Sequence, residues 1–267
     1  MIIEQNTNYA NKLKYMENPT FDKVCNSAIK LYRELPNQLL NRGVDIPDSE
    51  SQMLAYLNAF GLMHQARLNC AFNHLPEEFF DQLEINIIDY GCGQALGTMC
   101  YADFLRNNGY SQEINTITLI EPSEMCLKRA ALHVSTFFPD AEIKTVNKTF
   151  DELDEDDIYC DENVPTLHIL SNVLDIMDID IEEFAELITC QIEGYNQFVC
   201  VGPYFNYPDK DERMDDFCSL MDGEEDYYEM FDKYELDENK AWTAQILCFS
   251  VGEFMDKVII NRPPPVY

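Results

Sequence analysis

Basic residues are scarce in this chain of 267 residues: 18 lysines and arginines stand against 49 aspartates and glutamates, a formal net charge of −31. That imbalance repels phosphate backbones and anionic headgroups over long range, so nucleic-acid and membrane-surface partners are disfavoured. A small-molecule or protein substrate is expected, with a protein partner for the acidic surface. Also missing is any run approaching the ~18 consecutive apolar residues that a membrane-spanning helix needs. The amino terminus carries Glu4 and no apolar stretch followed by a cleavage site, so a cytoplasmic protein is expected. The ten cysteines include no C-x-x-C and no paired spacing. Zinc and redox motifs are thereby absent, no metal site is expected, and the cysteines read as reduced core residues.

The length suits one α/β domain with an accessory segment, and a core of that size needs no disulfide staples. Residues 1–80 show helical spacing without strand alternation and read as a helical cap; residues 81–267 read as the α/β domain. Within the cap, Phe21, Val24, Ala28, Leu31 and Tyr32 share one helical face before Pro36. A second helix starts at Ser49 or Ser51, either of which suits an N-cap, and runs to the break at Pro76. Its polar members include Tyr56, His64, Gln65 and Arg67.

The chain is organised around Ile85–Gly97. Ile85, Ile87 and Ile88 form a β-branched run suited to a strand buried on both faces, and it ends at an acid followed by two glycines. Gly91 and Gly93 allow positive φ and close approach of a ligand, and Met99, Ala102, Phe104 and Leu105 then restart with helical spacing. A dinucleotide fingerprint needs G-x-G-x-x-G, but here the glycines fall at 91, 93 and 97, one residue too long.

Asp89-Tyr90-Gly91-Cys92-Gly93-Gln94-Ala95 instead resembles motif I of class I S-adenosylmethionine-dependent methyltransferases, with Ala95 in the usual third-glycine position. The resemblance implies a Rossmann-like, seven-stranded, mostly parallel sheet with helices on both faces. It also implies S-adenosyl-L-methionine as cofactor, its methionine part cradled by this loop, with Asp89 orienting the loop or reaching the ammonium group through water.

A second strand, Asn115–Ile120, again ends at an acid, Glu121, where a carboxylate at the sheet's carboxyl edge can accept both hydroxyls of a ribose. Glu121-Pro122-Ser123 resembles motif II of the family. That resemblance assigns the ribose to Glu121 and an adenine-side contact to Pro122 or Ser123, while a helix N-cap or a surface acid is the alternative for Glu121. Ser123 opens a helix that ends near Phe137-Phe138-Pro139. A weaker third strand over Glu142–Lys148 leads to Thr149-Phe150-Asp151, where family members often hold the adenine ring; Phe150 is placed to stack and Asp151 to receive the amine. The acidic runs Asp151–Glu162 and Asp222–Asp232 read as solvated loops or helix faces.

The fourth strand, Thr166–Leu170, empties into Ser171-Asn172-Val173-Leu174-Asp175. No Asp/Asn-Pro-Pro-aromatic turn of the amino-methylating nucleic-acid enzymes is present there, and no Pro-Cys pair of the cytosine C5 enzymes. Ser-x-Val-Leu-Asp resembles the pattern in small-molecule methyltransferases and in a mitochondrial-ribosome-associated branch of the fold. It places Ser171 and Asn172 near the transferred methyl group, with helix capping as the alternative. Many such enzymes cover the cofactor with an N-terminal helical segment, which makes Tyr56 and His64 candidate substrate contacts, with a satisfied packing residue as the alternative for the histidine. Tyr204 and Phe205, after a fifth strand Phe198–Val201, are candidates by topology. Residues 206–240 suggest one amphipathic helix, Trp242–Ser250 a sixth strand, Lys257–Ile260 a short seventh, and Pro263–Pro265 a polyproline linker. A sulfonium donor demands no general base, so no catalytic residue is assigned. Two readings stand: a transferase acting on a small molecule or protein, and a cofactor-binding or inactive scaffold module in a larger assembly. A nucleic-acid mimic fits the charge but leaves the glycine loop unexplained.

Overall fold

The computed structural model describes residue 9 and residues 11–29, 46–207 and 212–254. Its centre is a sheet of β1 (Glu84–Tyr90), β2 (Glu113–Ile120), β3 (Glu142–Val146), β4 (Thr166–Ser171), β5 (Asn196–Gly202), β6 (Glu224–Phe231) and β7 (Ala244–Val251). The spatial order is β3-β2-β1-β4-β5-β7-β6. The first five strands are parallel, and β7 runs antiparallel to both β5 and β6. Parallel neighbours require crossovers, and α-helices supply them. The helices are α1 (Phe21–Ile29), α2 (Glu50–Phe72), α3 (Glu77–Phe80), α4 (Leu96–Asn108), α5 (Glu124–Phe137), α6 (Ile181–Gln191) and α7 (Arg213–Leu220).

Side-chain alternation divides the core in two. Ile85, Ile87, Leu167 and Ile169 pack with residues of α1 to α5 on one face. Ile88, Tyr90, Leu170 and Phe198 pack with Phe184 and Ile188 of α6 and Phe217 of α7 on the other. Helix α2 begins at Ser49, whose side chain accepts from Gln52 N, so Ser49 and not Ser51 is the cap. It touches α1, α4, β5 and β7, and such enclosure buries His64 and Arg67 together with its apolar residues. Phe21 and Val24 of α1 are buried, whereas Leu31, Tyr32 and Pro36 lie outside the described residues. Eight cysteines are buried, Cys70 is half-buried and Cys190 is exposed.

One strand departs from expectation. The helix inside 206–240 is present as α7, but the strand before β7 is Glu224–Phe231, within the acidic run taken for loop or helix face. β6 is the sheet's edge and pairs only with β7, leaving most of its side chains exposed. Such a strand needs no apolar alternation, and its acids oppose pairing with another chain. Lys257–Ile260, expected as the last strand, lies outside the described residues.

Helix α4 seats closely because Gly97 has no Cβ: one built there would sit 2.8 Å from Ile169 Cγ2 and 3.3 Å from Asp89 Oδ2. Both neighbours are buried, so an added methyl must displace the helix. Gly97→Ala is expected to lower unfolding stability by about 1–3 kcal/mol, read as a drop in urea midpoint. An unchanged midpoint would show that α4 does not depend on this approach.

Candidate functional site

The carboxyl ends of β1, β2 and β4 meet where the strand order runs outward from β1 in both directions, the switch point at which open α/β sheets present a crevice. Five residues, 91–95, carry the chain from β1 to α4. Gly91, Gly93 and Ala95 all have positive φ, at 57°, 54° and 61°. A Cβ on Gly91 would stand 3.0 Å from Val173 Cγ2 and 3.6 Å from the Phe150 ring, while one on Gly93 would meet nothing within 4 Å. Ala95 adopts the left-handed conformation with a side chain, at a cost of roughly 1–2 kcal/mol, and its N–H donates to Cys92 O at 2.7 Å.

Asp89 lies beneath this loop. Its Oδ2 accepts from Thr98 N at 3.2 Å and from Thr98 Oγ1 at 2.7 Å, tying the end of β1 to the first turn of α4. Burial pushes its carboxyl up to about 7, with the two Thr98 hydrogen bonds opposing the rise and the nearby Glu121 charge adding to it.

Above the loop is a cavity of about 530 Å³. Gly91, Gly93 and Gln94 form its floor; Glu121 and Pro122 follow β2, Thr149, Phe150 and Asp151 follow β3, Ser171 and Asn172 follow β4, and Tyr56 reaches in from α2. Glu121 accepts from Gly93 N (3.0 Å) and Ser123 N (2.9 Å), one bond on each oxygen, so each retains further acceptor capacity. Burial raises its carboxyl above the ordinary value, and these two N–H groups limit the rise. Gln94 is buried; its Nε2 donates to Met53 O at 2.9 Å, and its Oε1 has no hydrogen-bond partner. Phe150 meets Phe184 edge-on at 4.9 Å between ring centres. Asp178, Asp180 and Glu183 line the far wall, so that with Glu121 and Asp151 five carboxylates, and no lysine, arginine or histidine, line the cavity among the described residues.

Behind Tyr56, Ser171 and Asn172 lies a buried polar network. His64 Nε2 is 2.8 Å from Tyr56 Oη, and its Nδ1 is 3.0 Å from Asn172 Nδ2 and 3.2 Å from Ser171 Oγ. Arg67 donates to Asn172 Oδ1 at 2.6 Å and twice to Thr243 O. Burial, and secondarily the Arg67 charge, lowers the His64 imidazole to about 3, so it is neutral.

Of the candidates named from the sequence, Tyr56, Gly91, Gly93, Gln94, Glu121, Pro122, Thr149, Phe150, Ser171 and Asn172 thus line one cavity. Asp89 is buried under the loop, Cys92 and Ala95 are buried within it, and the Tyr90 hydroxyl lies 3.1 Å from His168 Nδ1. Ser123 caps α5 and donates to Pro47 O. His64 stands behind the cavity wall. Tyr204 does not join the group: with Phe205 it borders a separate hollow shaped by Asp232, Lys233 and Thr243, because the chain leaving β5 runs beside the β6–β7 connection. The far wall was not anticipated, although Asp180 before Ile181-Glu182-Glu183 carries a readable N-cap signal, accepting from Glu182 N and Glu183 N.

No family model and no curated protein matches the chain. Solved structures similar to it include a Listeria monocytogenes protein assigned to the class I S-adenosylmethionine-dependent methyltransferases, at 12% identity over 95% of this chain and 74% of that one, TM-score 0.45. A chain from the Haloferax volcanii complex of the Trm112 methyltransferase activator with a protein assigned as a methyltransferase matches at 11% identity over 73% of this chain and 93% of that one, TM-score 0.49. Geranyl diphosphate C-methyltransferase from Streptomyces coelicolor matches at 12% over 91% and 96%, TM-score 0.45. With β7 inserted antiparallel between β5 and β6, the sheet has the arrangement of the class I methyltransferase fold. Among the described residues no helix is long and apolar enough to cross a membrane.

The raised Asp89 carboxyl makes a signed prediction. A group that holds its proton more tightly when folded favours the folded state at low pH, and that contribution is lost as pH rises from the unfolded value, about 3.8, through about 7. Urea midpoints at pH 5 and pH 8 should fall further for the native chain than for Asp89→Asn, which cannot ionise. Equal falls would remove Asp89 as the source.

Proposed function

We propose that the chain is an S-adenosylmethionine-dependent methyltransferase acting on a small-molecule or protein acceptor. The observation that carries this reading is a cavity at the switch point where a glycine loop, Glu121, Phe150 and Ser171-Asn172 converge, lined among the described residues by five carboxylates and no basic side chain. Such a lining suits a cationic ligand, and the sulfonium of S-adenosylmethionine is one. The volume falls within the ~300–1,000 Å³ range of ligand pockets.

The residues fit the cofactor at specific atoms. Gly93 leaves open space against the floor, and the unpartnered Oε1 of Gln94 is an acceptor for the ammonium group. Glu121 keeps acceptor capacity for ribose hydroxyls, and Phe150 supplies an aromatic ring to the lining for the adenine. When bound, the cofactor supplies a methyl group on a positively charged sulfur already activated for displacement. The protein's share is then to orient the acceptor in line with that bond and to keep water out. Proton removal by histidine is not part of this reading: burial holds His64 and His133 at about 3 and His168 at about 4, and none lines the cavity. The acidic surface favours a small or basic acceptor over a phosphate backbone.

Calorimetric titration with S-adenosylhomocysteine tests the cofactor assignment. The native chain should bind, and Glu121→Gln should lose about 1–3 kcal/mol of binding, roughly 5- to 150-fold, while keeping its thermal transition. Absence of binding by the native chain rejects the reading. Transfer of tritiated methyl from S-adenosylmethionine into lysate fractions tests catalysis; binding without transfer would leave a cofactor-binding module.

A further inference from the structure

We infer that a buried relay running from Arg67 through Asn172 and His64 fixes Tyr56 as a hydrogen-bond donor into the cavity, so that the ligand atom beside it is an acceptor, a carboxylate or carbonyl oxygen. The inference rests on the reading of this cavity as a ligand site.

The direction of each hydrogen bond follows from the one before. A guanidinium can only donate, so Nη1 of Arg67, 2.6 Å from Asn172, must face the amide oxygen. That orients the amide nitrogen toward His64, 3.0 Å from Nδ1. An amide nitrogen also only donates, so His64 Nδ1 must be the bare nitrogen. The Ser171 hydroxyl, 3.2 Å from the same atom, accepts the second amide hydrogen of Asn172 at 3.1 Å and requires no proton on Nδ1. A neutral imidazole has one N–H, which therefore sits on Nε2 and donates to Tyr56 Oη at 2.8 Å. With its oxygen accepting from His64, Tyr56 must direct its own proton elsewhere, and no other described residue receives it. Tyr56 lines the cavity, whose other side chains at this end, Glu121 and Gln94, offer acceptor oxygens. Tyr56 thus supplies an O–H donor in a cavity dominated by carboxylates. Burial keeps the ring neutral, so the polarity of the relay does not reverse near neutral pH.

Tyr56 is the residue that meets ligand; His64, Asn172 and Arg67 are positioning residues. The acceptor oxygen can belong to the methionine carboxylate of the cofactor or to the methyl-accepting molecule, and the experiment separates the two. Nitrogen-15 spectra of the imidazoles in the full chain at pH 8 should show His64 protonated at Nε2 and bare at Nδ1. Asn172→Asp presents Nδ1 with an acceptor, and both residue types tolerate the left-handed backbone at this position (φ 58°). The proton should move to Nδ1, Tyr56 should turn its O–H onto Nε2, and the cavity should lose its donor. If the oxygen is the cofactor's, Asn172→Asp and Tyr56→Phe each weaken S-adenosylhomocysteine binding about tenfold. If binding holds within about twofold in both while the tautomer reverses, the oxygen is the methyl acceptor's. An Nδ1–H tautomer in the native chain, or an unchanged tautomer in Asn172→Asp, overturns the relay. So does weakening by Tyr56→Phe without weakening by Asn172→Asp. The spectra need no ligand, so failure of the relay is distinguishable from failure of the cofactor assignment.

Discussion

The buried carboxylate of Asp89 is the constraint from which the site follows. A carboxylate removed from water is costly unless its oxygens are met, and Thr98 meets one of them with both its N–H and its hydroxyl. Those two bonds pin the first turn of α4 to the tip of β1, so residues 91–95 must cross a short span, and three of them do so with positive φ. The amides of the crossing are thereby committed in direction. Gly93 N points to Glu121, and Cys92 N closes on Ile120 O at 2.9 Å, fastening the loop to the end of β2. Gly97 lets the helix lie against Asp89 and Ile169 closely enough for this to happen.

A chain with so few basic residues places several of them inside. Arg67 holds Asn172 and the Thr243 carbonyl behind the cavity. Arg129, buried, pairs with Glu50 at the start of α2 and lies over the Tyr9 ring at 4.3 Å. Arg213 of α7 donates to the carbonyls of Leu174, Ile176 and Ile179, fixing the segment that presents Asp178 and Asp180 to the far wall. Arginine suits this work because its planar fork satisfies several carbonyls at once. The outer surface keeps its excess of carboxylates, including those of the acidic edge strand β6. Surface charge and cavity charge therefore share a sign.

Much of the β-sheet was readable because its parallel strands are buried on both faces and so stand out as β-branched runs ending at an acid or a small polar residue. β1, β2 and β4 follow that rule, and the glycine loop marks the switch point. β6 broke it: an edge strand with one neighbour and exposed acids has no such pattern, and its charge resembled a solvated loop. Tyr204 was misplaced relative to the cavity for a related reason, since the turn after β5 takes its surroundings from the β6–β7 connection, which is remote in sequence.

What the sequence determined alone is the local grammar: an acid, two glycines and a small residue after one buried strand, a second acid after the next, and the capped helices between them. Only the tertiary structure decided that Asp89 faces Thr98 under the loop rather than the cavity, and that His64 and Arg67 form a polar layer behind Tyr56 and Asn172. Residues 64, 67, 172 and 243 are brought together by the packing of α2 across the ends of β4 and β7. Hydrogen-bond direction depends on which partner can only donate, and spacing along the chain carries no record of that pairing.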